Sequence, residues 1–232
     1  MHWDEFSDWG AKISQWAADY HKNLRDRPVR AQTAPGDVAA LLEHSAPETP
    51  QSMEEIMADF ERVVMPGMTH WQHPRFFAYF PANAAPPSML AEMLVSTIAA
   101  QCMLWQTSPA ATEMETVMLD WLRQAIGLPS GFSGVIQDSA SSATLAAVLT
   151  MRERALNWQG NRSGLSGAPR LRIYCSAEVH TSVDRAIWVA GIGQDNLVRI
   201  PIGGIRRGMD PVALRAAIEA DIAAGHFPAG VI

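Results

Sequence analysis

At 232 residues, 48% hydrophobic and 18% charged, the chain has apolar material for one large domain, or one domain with an arm, and too much for disorder. A formal net charge of −6 argues against nucleic acid or an anionic membrane as the main partner. The longest apolar run, near residues 89–104, is broken by Glu92, Ser96 and Gln101 and is no membrane span, and the acidic start at Asp4, Glu5 and Asp8 is no signal peptide.

Cys102 and Cys175 form no C-x-x-C motif and are expected as reduced, buried thiols of a cytoplasmic protein. Residues 3–24 place Trp3, Phe6, Trp9, Ile13, Trp16 and Tyr20 at helical spacing. So aromatic a stripe needs a large partner surface, either in its own domain or on a second subunit. Residues 25–50, rich in Pro, Arg and Ala, read as a linker with a short helix near 37–43. Ser52 and Glu55 form a capping-box pattern that opens a helix to about Val64, and Pro66-Gly67 ends it. The segment from Thr69 to Pro81 is extended and aromatic, because Pro74 and Pro81 exclude a helix interior. Such a segment is either a core plug or the wall of a pocket for a planar ligand. His70 and His73 lie three apart without further ligand residues, so no metal site is expected. Pro86-Pro87 opens a helix to about Leu104, and Ser108-Pro109 opens another to Gly127.

The stretch beginning Gly134-Val-Ile-Gln-Asp-Ser-Ala-Ser-Ser-Ala reads as a short buried strand, a small-residue turn and a long helix. A helix N-terminus with small side chains is an anion site, because its first N–H groups lack partners and its dipole favours negative charge. The same residues also suit an ordinary N-cap by Asp138 or Ser139. Strands follow at 171–175, 197–200 and 227–232, with helices at 182–190 and from Asp210-Pro211 to Gly225. This alternation predicts a mostly parallel α/β sheet covered on both faces. Ligands of such sheets bind at the carboxyl ends of the strands, which puts the Asp138–Ser141 turn and His180 on one rim. An aromatic segment, a phosphate turn and a histidine there suggest a planar, phosphorylated cofactor.

Four segments carry a resemblance to a known family: 65–81, 108–115, 135–145 and 180–185. They resemble the group II pyridoxal-phosphate decarboxylases, the aromatic-L-amino-acid decarboxylases in particular, in order and nearly end to end. The resemblance implies an α/β fold with an N-terminal helical dimerisation arm. The first part of a PLP-dependent transferase type I (aspartate aminotransferase-like) large domain follows, with a mostly parallel sheet. Residues 1–85 would form the arm and the aromatic pocket segment, and 86–232 the first part of the cofactor domain. Ala140 and Ser141 match phosphate-cup positions, and His180 matches the histidine that stacks on the cofactor ring and helps position the substrate. Trp71, Tyr79, Phe80, Pro81 and Ala82 match the pocket for an aromatic L-amino acid. Gln101 and Met103 match positions that reach the neighbouring subunit's site in a homodimer clasped by its N-terminal helices. Asp138 stands where many animal members carry glycine, and Ala82 lacks a hydroxyl that some members use on the substrate carboxylate.

The cofactor also needs a lysine for its covalent link and a carboxylate for its pyridine nitrogen. Lys12 and Lys22 match no catalytic position. The chain is therefore expected to be the N-terminal half of a decarboxylase, inactive alone, its lysine-bearing half a separate chain or fragment. Two other outcomes are a non-catalytic truncated fragment or interaction module, and a PLP-dependent aldehyde synthase. In the family a histidine at position 180 goes with plain decarboxylation.

Overall fold

A computed structural model describes residues 1–80 and 84–232, which form two compact units, Met1–Ala100 and Gln101–Ile232. In the first unit, helix α1 (Trp3–Lys22) has Asp4 and Glu5 in its first turn and His21 and Lys22 in its last, each sign matching the helix dipole. A 3₁₀ turn, Leu24–Asp26, buries Leu24, and a second turn at Ala39–Leu41 is the short helix expected in the linker. Helix α2 (Met53–Asp59) carries the expected capping box. The Ser52 hydroxyl accepts from the Glu55 amide at 3.2 Å, and the Glu55 carboxylate accepts from the Ser52 amide at 2.8 Å. The chain then passes through a π-helical turn, Phe60–Val64, and a 3₁₀ turn, Met65–Gly67. Helix α3 (Pro86–Ile98) stops short of Leu104, because Ala99 adopts the left-handed conformation (φ 48°) and returns its N–H to the Val95 carbonyl.

The second unit opens with α4 (Pro109–Ala125), which has proline at the start as expected, and α5 (Ala140–Ala155). There follow α6 (Gly160–Ser163), β1 (Leu171–Ser176), α7 (Ser182–Val189) and β2 (Leu197–Ile200). A small antiparallel pair, β3 (Ile202–Gly203) and β4 (Gly208–Met209), precedes α8 (Pro211–Ala223) and β5 (Phe227–Val231). The sheet order is β2-β1-β5, all parallel. The register of β5 against β1 slips between Arg172 and Ile173, beside Pro228, which has no N–H to give to a ladder.

Strand β1 explains how both sheet faces are covered. Ile173 and Cys175 enter a core with Val148 of α5 and Val183, Ala186 and Ile187 of α7. Each fully buried aliphatic side chain contributes about 1.5–3 kcal/mol relative to exposure. Tyr174 points to the other face, where its hydroxyl donates to Asp221 of α8 at 2.8 Å. Arg172 pairs with the same carboxylate at 3.0 Å.

Two further expectations fail, and one element was not foreseen. Val135 and Ile136 form no strand and are exposed, because the Ile136 N–H is taken by the Glu115 carboxylate of α4 at 2.7 Å rather than by a ladder. The β3–β4 pair was not foreseen, since Ile202-Gly-Gly-Ile-Arg-Arg-Gly-Met209 has no apolar alternation. Of the two cysteines, Cys175 is buried, and burial pushes its thiol up, but Cys102 is exposed.

Candidate cofactor and substrate site

Ser139 is the N-cap of α5. Its backbone is extended, and its hydroxyl accepts the Ser142 amide at 3.2 Å. This fulfils the local capping reading, with Ser139 rather than Asp138 in the role. The cap leaves Ala140 and Ser141 in the first turn, and among the described residues no protein acceptor takes their N–H groups. Both side chains are small and exposed, so an anion can approach the backbone.

His180 closes the loop that leaves β1. The loop is held by the Ala177 amide on the Ile200 carbonyl (2.8 Å) and the Val179 amide on the Ser176 carbonyl (3.1 Å). An exposed ion pair between Glu178 and Arg207 ties it to the turn between β3 and β4. The Ser182 amide donates to His180 Nδ1 at 3.1 Å, and the Ser182 hydroxyl lies 3.0 Å from the same atom. An amide can only donate, so Nδ1 is the unprotonated nitrogen and Nε2 carries the hydrogen. Sequence reasoning missed Ser182; a hydroxyl two residues after a loop histidine was the available signal.

The direction of α5 decides whether these two features share an edge. Arg152, in the last turn of α5, donates from Nη1 to the carbonyl of Ala190, the C-cap of α7, at 2.7 Å. The C-terminal ends of α5 and α7 therefore meet. Helix α7 starts beyond the carboxyl end of β1, so its C-terminus lies toward the opposite edge. Helix α5 runs with it, and its N-terminal turn faces the strand-carboxyl edge, as does the His180 loop. Gln101 and Met103 stand exposed ahead of α4, on a stretch that none of these bonds ties to His180.

In the first unit, Trp71 stacks on Phe76 (centroids 4.9 Å, 30° between planes) and on Tyr79 (5.5 Å, 22°). Tyr79 has a left-handed backbone (φ 53°), which is costly for a bulky residue and is tolerated where the surroundings impose it. Tyr79 is 83% exposed and Phe80 99%. Pro81 and Ala82, also expected in the pocket, lie outside the described residues. Among the described residues no group of three His, Cys, Asp or Glu could hold a metal, and no helix is long and apolar enough to cross a membrane.

Comparison with known proteins gives this arrangement a family. Residues 35–232 match the model of the pyridoxal-dependent decarboxylase conserved domain. Over 98% of its length the chain is 40% identical to aromatic-L-amino-acid decarboxylase of Rattus norvegicus, of which it covers 49%. It is 34% identical, over 98% of its length, to phenylacetaldehyde synthase of Arabidopsis thaliana, covering 47% of that protein. The whole chain superposes with a TM-score of 0.91 and 32% identity on 51% of the Oryza sativa TDC crystallised with PLP and tryptamine. The chain thus spans about half the length of the curated relatives it matches. With its helical N-terminal unit, its parallel sheet and a family match over most of its length, the chain belongs to the pyridoxal-dependent decarboxylases, whose cofactor is pyridoxal phosphate.

Proposed function

We propose that this chain is the N-terminal portion of an enzyme that removes CO2 from an aromatic L-amino acid and leaves the amine. The observation that carries this reading is the shared edge: the α5 first turn and the His180 loop both face the carboxyl ends of the parallel strands, with α5 oriented by the Arg152–Ala190 bond. The residues present fit the cofactor. The N–H groups of Ala140 and Ser141 and the Ser141 hydroxyl would hold its phosphate, and His180 would stack on its ring. When bound, the cofactor supplies an electron sink for the carbon that loses CO2. His180, with its hydrogen on Nε2 and Nδ1 fixed by Ser182, would orient the substrate and hold or deliver a proton at Nε2.

The stacked face of Trp71 and Tyr79 suits an aromatic substrate ring, and we assign Phe80, Pro81 and Ala82 to the same pocket. We place 1–85 as arm and pocket segment and 86–232 as the start of the cofactor domain, in a cytoplasmic homodimer. Gln101 and Met103 would serve the neighbouring subunit's site. An apolar groove of about 1000 Å³ between α1 and α3, lined by Trp3, Phe6, Ile13, Met89 and Met93, suits the facing arm of a second copy. Lys12 and Lys22 both lie on α1, and we assign the covalent lysine to residues other than these 232. By this reading the 232 residues alone give no turnover, and borohydride reduction with the cofactor marks no single lysine.

The test uses the full-length protein saturated with pyridoxal phosphate and offered L-tryptophan, L-tyrosine, L-phenylalanine and L-glutamate. Equal amounts of CO2 and amine from the aromatic acids are expected. His180→Phe should lower kcat by about 10²-fold. Aldehyde and peroxide in place of amine would establish the synthase chemistry instead. Preference for L-glutamate would overturn the substrate class.

A further inference from the structure

The aromatic segment is inside out. Its most buried residues are two imidazoles, His70 at 4% exposure and His73 at 3%, while Phe77 and Phe80 stand in solvent. Burying an imidazole is unfavourable unless it is hydrogen-bonded, and each of these is held by at least one bond. His73 Nδ1 accepts the Arg75 amide at 3.0 Å, which leaves Nε2 to donate to the Arg25 carbonyl at 3.2 Å. His70 Nδ1 lies 2.8 Å from the hydroxyl of Tyr20, fifty residues earlier and in the last turn of α1. Burial, then the charge of Arg27 and then His73 hold His70 below its ordinary value. Burial likewise raises Tyr20, against Arg27. The neutral forms therefore meet, and one hydrogen bond joins the tyrosine hydroxyl to Nδ1.

Tyr20 is itself fixed. Its ring stacks on Trp16 at 5.4 Å, and the Arg27 guanidinium lies over it at 5.2 Å. The His70 amide donates to the Val29 carbonyl at 2.9 Å, and the Thr69 hydroxyl accepts the Ala31 amide at 3.3 Å. Trp71 sits between the two anchored histidines in the chain and carries the stack of Phe76 and Tyr79. A segment without regular structure holds its aromatic face only through what is anchored behind it.

We infer that Tyr20 is a positioning residue for substrate recognition: its hydroxyl, through His70, sets the pose of Trp71 and of the aromatic face built on it. Affinity for the substrate's ring is thereby tied to the seating of helix α1. This rests on the reading above that Trp71 and Tyr79 wall the ring site.

The test uses the full-length, cofactor-loaded protein and tryptamine as a ligand that needs no turnover. Tyr20→Phe keeps the ring and removes the hydroxyl. It should weaken tryptamine binding and raise KM for L-tryptophan about tenfold, the scale of one lost hydrogen bond. Meanwhile kcat and cofactor affinity should change little, and the melting temperature should fall by only a few degrees. His70→Leu should do the same, and the double variant should be no worse than either single change. His70→Asn, which keeps an acceptor near the Nδ1 position, should restore most of the affinity. Additive effects, or a fall in kcat, cofactor affinity and melting temperature with tryptamine affinity unchanged, would reduce the pair to a structural bond and sink the inference. If the wild type binds tryptamine and Tyr20→Phe binds it equally well, this inference alone fails. If the wild type binds no aromatic amine, the functional reading fails, and this one with it.

Discussion

The sheet core of the second unit and the aromatic segment of the first treat the same kinds of side chain in opposite ways. Around β1 the aliphatic residues are sealed: Val148, Ile173 and Ile187 are fully buried, and on the other face Tyr174 and Arg172 meet the Asp221 carboxylate. In the segment 69–80 the histidines are sealed, and Phe77, Tyr79 and Phe80 are displayed. The core follows the ordinary hydrophobic drive. The segment reverses it, and the reversal is stable only because each buried imidazole is anchored by hydrogen bonds. Burial in the core serves the fold, whereas exposure in the segment is what a binding face requires.

Substitutions should split the two regions. The largest expected effect is Ile187→Ala, which opens a cavity beneath β1 and should cost about 3 kcal/mol in urea unfolding of the full-length protein. A cost under half of that would mean the core is looser than its burial implies.

Asp221→Asn comes next, at about 2 kcal/mol near neutral pH, because Tyr174 and Arg172 lose a charged partner. Burial alone would raise the Asp221 carboxyl. The hydrogen bonds from Tyr174 and Arg172, with the charges of Arg172 and His226, outweigh burial and hold it below the ordinary carboxylate value. A group depressed in the folded state stabilises fully above its unfolded pKa and loses that contribution as pH falls through the folded one. The gap between wild type and Asp221→Asn should therefore close in acid, below about pH 4. A gap that persists unchanged at pH 3 would show that the aspartate acts through shape rather than charge.

The smallest effect belongs to the displayed side. Phe77→Ser, at a side chain 92% exposed, should change stability by less than about 0.5 kcal/mol. A loss as large as that of Ile187→Ala would erase the contrast and make the segment a second core.

The features legible in the sequence are those set by near neighbours. The Ser52–Glu55 box, proline at the start of α4, and the Ser139 and Asp210 caps each rest on residues within one helical turn. Strands β1, β2 and β5 were legible from short, largely apolar runs between turn residues. The part that escaped depends on partners far along the chain. Val135-Ile136 has the composition of a strand, but a carboxylate 21 residues earlier claims its amide. His70 and His73 could be tested only as a metal pair, since nothing in their spacing names Tyr20 or the Arg25 carbonyl. For the candidate site, the turn and His180 were legible as separate motifs. The bond from Arg152 to Ala190 that orients α5 with respect to the sheet was not.

The eight buried members of the core cluster all lie between Val148 and Ile192, and this bears on how the protein comes into being. Contacts so close along the chain need only short loops to close, so this part should assemble early and without waiting for distant segments. Substitutions in α5, β1 and α7 should then slow refolding, while changes in α1 or the aromatic segment should mainly speed unfolding. In refolding, the rim carrying Ala140, Ser141 and His180 would stand formed well before the display of Trp71 and Tyr79 has been locked by the arm.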